Sequence, residues 1–255
     1  MTKTKCYFYI YQQSLIGITC EQYKNKQVLL DAWSVSLDAP ELPTFINQQM
    51  VTSAAIEFQK TVLHTCEIQS ELTDAEIFLL IETHALDWFG HRASELYLDY
   101  EWQATDRVRV VATKRETIHA LPTMIQTSLR VMNVDVLAIA QFTAAFEKNT
   151  IVVYAHDQVI LLVVATQGKY ITSQLLQLNS IHSVIQWISK INLTIDRIFF
   201  AGDPDFVADE LQHEMRIPVI TEVRMNNVDN KTSLTSAELS RWIVALGLCG
   251  GCYHA

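Results

Sequence analysis

Hydrophobic and polar positions alternate at two different periods along this chain, and the changes of period divide it. Cys6 to Tyr11, Leu15 to Cys20 and Lys26 to Ser36 are β-rich runs separated by short polar breaks, which predicts a meander of three antiparallel strands. Asp38 to Pro43, with Pro40 and Pro43, is the first strong breaker. Val51 to Ile56 and Val62 to Ile68 then read as two further strands, or as a strand after a short helix. A helix start follows at Leu72 to Ile77, where Thr73 and Glu76 have the spacing of a reciprocal capping box and Leu72 and Ile77 that of a hydrophobic staple. Ile77, Leu80, Ile81, His84 and Trp88 share one helical face, on which His84 is read as a core histidine, and Gly90 supplies the stop. The period then returns to two: Leu96, Leu98, Tyr100 and Trp102 alternate with Glu95, Tyr97, Asp99 and Glu101, and Arg107 to Thr113 is the expected antiparallel neighbour.

Lys114 to Met132 has a helical pattern broken by Pro122, which predicts a kink or two short helices. Val134 to Ile139 reads as a strand and Ala140 to Lys148 as a helix. A second β-rich opening follows, with Ile151 to Tyr154, Val159 to Thr166, a turn at Gln167 to Lys169, and Tyr170 to Ser173. Helices are expected at Ser180 to Ile191, Pro204 to Met215 and Ser236 to Gly247, and strands at Arg197 to Phe200 and Ile217 to Ile220. Each half therefore opens with a sheet and continues into helices, without a sequence-level repeat linking them. The expected architecture is α/β and two-lobed, with a first lobe at 1–149 carrying a small α+β module at about 68–113, and a second lobe at 150–255.

Composition narrows the function classes. The net charge of -9, from 19 basic and 28 acidic residues without a dense basic cluster, argues against nucleic acid as a partner. The longest apolar run, Val159 to Ala165, falls short of the roughly 20 residues a membrane span needs. Lys3 and Lys5 ahead of Cys6 to Tyr11 mimic a signal peptide, but Gln12, Gln13 and Ser14 interrupt the apolar core, so an opening strand in a cytoplasmic protein is expected. Five cysteines, at 6, 20, 66, 249 and 252, do not form a secreted disulfide framework, and reduced thiols are expected. Glycine is scarce: seven residues, where an average chain would carry about 18.

The order of segments, together with several local phrases, resembles the PilM family of type IV pilus assembly proteins, in particular its short, divergent HofM and competence-associated members. The phrases are Glu71 to Ile77, Leu96 to Glu101 with its "LDY", Val108 to Lys114 with its "VVA", Phe199 to Gly202, and the terminal "ALGL" of Ala245 to Leu248. The resemblance spans essentially the whole chain and implies an actin-like (ribonuclease H-like) two-lobed fold with an inserted module. It also implies a partner: in that family a groove between the first lobe and the module receives the cytoplasmic N-terminal tail of the membrane protein PilN. Leu72 to Ala112 and Val51 to Ile56 are the corresponding elements here, although the stretch before Thr73 is shorter than in relatives.

The departures concern the nucleotide. Relatives place an Asp and a Gly in each phosphate-binding hairpin turn, so that backbone amides and a metal-organising carboxylate face the phosphates. Here the first turn reads Gln12, Gln13, Ser14 and the second Tyr154, Ala155, His156, Asp157, Gln158. The adenosine-side turn keeps Gly202, followed by Asp203 and Pro204. Gly202, Asp203 and Asp157 are thus the vestigial nucleotide residues, and ATP and magnesium binding is expected to be weak or lost, with hydrolysis absent.

Rival chemistries find less support. Cys249, Gly250, Gly251 and Cys252 with His254 offer at most three zinc ligands and no second CxxC, so neither a metal nor a redox role is assigned. There is no GxSxG and no HExxH, and Asp203 is better placed to cap the following helix than to catalyse. The expected function is a non-enzymatic scaffold, peripheral at the inner membrane through its partner, that binds a PilN-like tail and other pilus platform proteins. The alternatives are an FtsA-type ATP-binding switch and a GspL-like component of type II secretion.

Overall fold

The computed structural model describes residues 3–23, 26–39, 51–69, 71–146, 148–156, 158–177, 181–202, 206–223, 228–236 and 238–249. The chain forms two compact units, Met1–Ala55 with Ser128–Ala255, and Ile56–Thr127. The smaller unit contains the stretch 68–113 that the sequence pattern sets apart.

The chain opens with β1 (Lys3–Tyr11), β2 (Ser14–Tyr23), β3 (Lys26–Ser36) and β4 (Val51–Ile56). The small unit follows with β5 (Thr61–Glu67), α1 (Asp74–Phe89), β6 (Leu96–Ala104), β7 (Arg107–Lys114) and α2 (Arg115–His119). Then come α3 (Thr123–Ser128), β8 (Leu129–Val134) and α4 (Asp135–Phe142). The second meander is β9 (Asn149–His156), β10 (Val159–Thr166) and β11 (Lys169–Gln177), followed by α5 (Ile181–Lys190), β12 (Arg197–Gly202) and α6 (Phe206–Met215). Short strands β13 (Val219–Ile220) and β14 (Val228–Asn230), a 3-10 turn at Glu238–Trp242 and α7 (Ile243–Leu248) end the described chain.

In the large unit both expected meanders form. The first lies in a six-stranded sheet, order β14-β3-β2-β1-β4-β8, and the second in a five-stranded sheet, order β11-β10-β9-β12-β13. β9 and β10 are buried along almost their whole length, because both faces of their sheet are covered and alternation is no longer required. Val184 and Ile188 of α5 and Ala208 and Leu211 of α6 cover one face, over Ile151, Val153, Leu162 and Phe200. On the other face α4 packs against β10 and β11, with Phe142 edge-on to Phe199 at 4.9 Å. α7 crosses α4 so closely that a side chain at Gly247 would put its first carbon 1.9 Å from the Ala138 carbonyl oxygen. Asp135, 2% exposed, starts α4 and accepts hydrogen bonds from the Val136 amide (2.6 Å) and from the Tyr9 hydroxyl of β1 (3.0 Å).

The small unit is a three-stranded antiparallel sheet, order β5-β7-β6, with α1 on one face. Ile77, Ile81, Ala85 and Phe89 recur at helical spacing and pack on Leu96, Val108, Val110 and Ala112. The capping box forms as the sequence predicts, and Gly90 ends α1 in the left-handed conformation, φ 71°. Tyr100 donates to Asp74 at 2.6 Å, which ties β6 to the start of α1 and pushes the phenol pKa up to about 12. On the opposite face Arg109, 6% exposed, donates to Glu101 at 2.8 Å.

Four sequence expectations need correction. The run Val134 to Ile139 is the start of α4, not a strand; β8 ends at Val134. Asp135 to Ala140 and Phe142 of α4 are all buried, so its apolar run has no amphipathic period and mimics a buried strand. The expected helix Ala140 to Lys148 ends at Phe142 and tightens into a 3-10 turn, Thr143–Ala145. Lys114 to Met132 does split at Pro122 into α2 and α3, but residues 129–132 pair as β8. The closing helix is a 3-10 turn before it becomes α7. Pro40, Pro43, Pro204, Asp205, Cys252 and His254 lie outside the described residues.

Three outcomes follow for stability. Gly247→Ala is expected to cost about 3 kcal/mol by forcing α4 and α7 apart, read as a lowered urea midpoint at unchanged slope. Thr73→Ala should cost about 1 kcal/mol. Glu76 accepts from the Thr73 amide and hydroxyl, and Glu238 from those of Thr235; these bonds, amide first, hold both carboxyls below their ordinary 4.5. A pKa depressed in the folded state contributes stability above the unfolded value that is lost as pH falls through the folded one. Thermal midpoints measured from about pH 5 to about pH 3 should therefore fall more steeply for the wild type than for Glu76→Gln.

Candidate functional site

The turns that would face a nucleotide lie at one end of the two large-unit sheets. Tyr11 pairs with Ser14, so Gln12 and Gln13 close the first hairpin, and Gln12 takes up φ 48°, a left-handed conformation that a non-glycine residue adopts at a cost of about 1 kcal/mol. The Gln12 amide donates to the Tyr11 hydroxyl at 3.1 Å, and the Gln13 carbonyl accepts from the Leu37 amide at 2.7 Å. In the second hairpin His156 pairs with Val159; Asp157 lies outside the described residues.

Aromatic rings fill the space between the strands that lead into these turns. Tyr9 and Tyr11 alternate on one face of β1, and Tyr154 and His156 on one face of β9, as period-two positions must. Tyr11 meets His156 with centroids 4.4 Å apart, and Tyr9 meets Tyr154 edge-on at 6.5 Å. Along the strands the spacings are 5.7 Å for Tyr9 and Tyr11 and 6.0 Å for Tyr154 and His156. The three tyrosines are at most 5% exposed. Tyr9 is anchored by Asp135, and the Tyr154 hydroxyl donates to the Arg241 carbonyl at 3.4 Å. The quartet presents aromatic ring faces between the strands that lead into the two hairpins.

A cavity of about 250 Å³ remains beside the quartet, lined by Ile16, Ser34, Tyr154, His156, Gly202, Arg241 and Trp242. Trp242 donates its indole N–H to the Trp33 carbonyl of β3 at 3.1 Å. Of the sequence-predicted site residues, Gly202 is in this lining, while Asp203 and Asp157 lie outside the described residues. Gly202 has a structural reason that involves no ligand. It ends β12 at φ 92°, parallel to Ala155 of β9, and a side chain there would place its first carbon 1.8 Å from the Ala155 carbonyl oxygen. Tyr9, Tyr11, Arg241 and Trp242 escape sequence reasoning, although aromatic residues two apart just before each hairpin turn were a usable signal.

The small unit carries a second cavity, about 310 Å³, beside the last residues of α1 and the adjoining ends of β5, β6 and β7. Val62, Phe89, Leu96 and Ala112 form its apolar floor; Lys60, Lys114, Thr113 and His91 stand at its rim. Lys60 is paired with Glu57 at 2.6 Å and Lys114 with Glu116 at 3.7 Å. Val62 is 44% exposed. His84 is not the core residue that its helical position suggests: its side chain is 43% exposed and stacks on Trp88, which His64 flanks on the other side. β4, the other element expected to serve a partner, is an interior strand between β1 and β8. No cluster of three metal-ligating side chains occurs among the described residues, and no helix among them is long and apolar enough to cross a membrane.

The sequence matches no protein-family model and no curated protein. The structure is similar to a chain of a PilM-PilN type IV pilus biogenesis complex, with a TM-score of 0.69 at 14% identity over 97% of this chain and 98% of that one. It is also similar to the cytoplasmic domain of EpsL, an inner membrane component of the type II secretion system of Vibrio cholerae, with a TM-score of 0.59 at 11% identity over 97% and 95% of the two chains. A protein of Bacteroides thetaiotaomicron with an actin-like ATPase fold gives 0.54 at 8% identity over 86% and 90%. These likenesses establish the fold: α/β and actin-like, with a small α+β unit inserted into the chain.

Proposed function

We propose that this chain is an assembly scaffold of the PilM kind. It holds the cytoplasmic N-terminal tail of a PilN-like membrane protein and has given up ATP turnover. The observation that carries the second half is the ring quartet of Tyr9, Tyr11, Tyr154 and His156, packed between the strands that lead into both hairpin turns. A triphosphate entering there would exchange water for aromatic faces, which do not replace its hydration. The first half is supported by the similarity to the PilM-PilN complex along nearly the whole of both chains. The protein would then sit at the inner membrane through its partner, in a pilus that serves DNA uptake or another purpose, and would contact further platform proteins there.

The tail is expected to be short, apolar and basic, which suits a chain of net charge -9. Within the small unit the apolar floor of Val62, Phe89, Leu96 and Ala112 offers a pocket for one of its hydrophobic side chains. The similarity to EpsL favours a second reading, a cytoplasmic component of a type II secretion assembly.

Titration calorimetry with Mg-ATP should give no saturable binding at micromolar concentration; a one-site isotherm in that range would overturn the loss of the nucleotide site. A synthetic PilN-type tail should bind, and no binding at 100-fold above a micromolar Kd would count against the scaffold. Val62→Lys, at a half-exposed position, should leave folding intact and weaken that tail at least tenfold, about 1.4 kcal/mol.

A further inference from the structure

In the sequence Cys249 is the first half of a CxxC, but the fold gives it another neighbour. Its sulfur lies 3.7 Å from that of Cys20, 229 positions away. Cys249 follows the last turn of α7, and Cys20 lies in β2 where the register against β3 shifts between Thr19 and Cys20. Both are buried, at 4% and 3% exposure. Gln27 of β3 clasps the first of them: its side-chain carbonyl accepts the Cys249 thiol proton at 2.8 Å, and its amide donates to the Cys249 carbonyl at 3.5 Å. Two sulfurs already in contact need to close by only about 1.7 Å to reach a bonded distance.

We propose that Cys20 and Cys249 are an oxidisable pair that forms a disulfide on exposure to hydrogen peroxide and thereby staples α7 to the opening meander. The Cys249 sulfur attacks the peroxide O–O bond, becomes a sulfenic acid and releases one water. The Cys20 sulfur then attacks the sulfenic sulfur; the S–S bond forms and a second water leaves. In total the two thiols give up two electrons and two protons, and one peroxide becomes two waters. Cys249 reacts first because it closes a helix, where local opening admits a small oxidant, whereas Cys20 sits within a paired strand. The staple also bears on the cleft, because Arg241 and Trp242 immediately precede α7 and line the cavity. Cys6 in the adjacent strand is the internal comparison: burial pushes its thiol up to about 11, and it bonds Thr19 at 3.6 Å.

The test treats the purified full chain with hydrogen peroxide, digests it without reduction and maps the linked peptides by mass spectrometry. The expected result is a link between the Cys20 and Cys249 peptides, a loss of about 2 Da, and a thermal midpoint raised by about 5 °C that dithiothreitol reverses. Cys6→Ser should keep the link, and Cys20→Ser should leave Cys249 as sulfenic or higher acids. A Cys249 to Cys252 link in the wild type would overturn the proposal. So would overoxidation of Cys249 with Cys20 still reduced, links between two chains, or one equivalent of tightly held zinc that protects both thiols.

Discussion

A buried carboxylate organises the large unit. Asp135 is 2% exposed, and a carboxylate so placed is stable only where donors replace its lost water. It meets this requirement by starting a helix, where the Val136 amide points at it, and by taking the Tyr9 hydroxyl from the opening strand. One side chain therefore fixes three things together: where α4 begins, how it stands against β1, and which way the Tyr9 ring faces. α4 in turn lies against α7 and against β10 and β11 of the second sheet. The carboxylate thus binds the first sheet, the second sheet and the closing helix into one unit.

The same bond shapes the cleft. With Tyr9 held by its hydroxyl, its ring is directed at Tyr154, and the next residue on that face of the strand, Tyr11, meets His156. An actin-like fold leaves a gap between its two hairpins that a ligand or side chains must occupy, since voids cost dispersion contacts. Here the side chains do so. This bears on how the surviving glycine is read. Gly202 sits where the resembled family has an adenosine-side turn, yet the carbonyl of Ala155 forbids any larger residue there. Strand pairing is by itself enough to require a glycine there. Glycine thus stands where backbones touch, as at Gly202 and Gly247, and is missing from the first hairpin turn.

What could be read from the sequence depended on how local the cause was. The meanders, the capping box at Thr73 and the glycine stop at residue 90 were legible because turn chemistry and period-two alternation act within a few residues. α4 was misread for a physical reason: a helix packed against sheet, helix and loop has no polar face, so its pattern matches that of a buried strand. The cleft was half legible. The missing glycines could be seen in the hairpin turns, but what replaced the ligand could not, because Tyr11 and His156 are 145 positions apart and meet only through sheet geometry. The thiol pair was hidden for the same reason. Attention to the CxxC at 249 pointed along the chain, while the true neighbour, Cys20, lay across it.

In a nucleotide-driven relative of this architecture, ligand contacts would hold the two sheets at a defined separation. In this chain a hydrogen-bonded tyrosine, a ring contact and a close helix crossing connect them. The small unit, with its own helix-on-sheet core and a cavity beside the half-exposed Val62, can then present a surface.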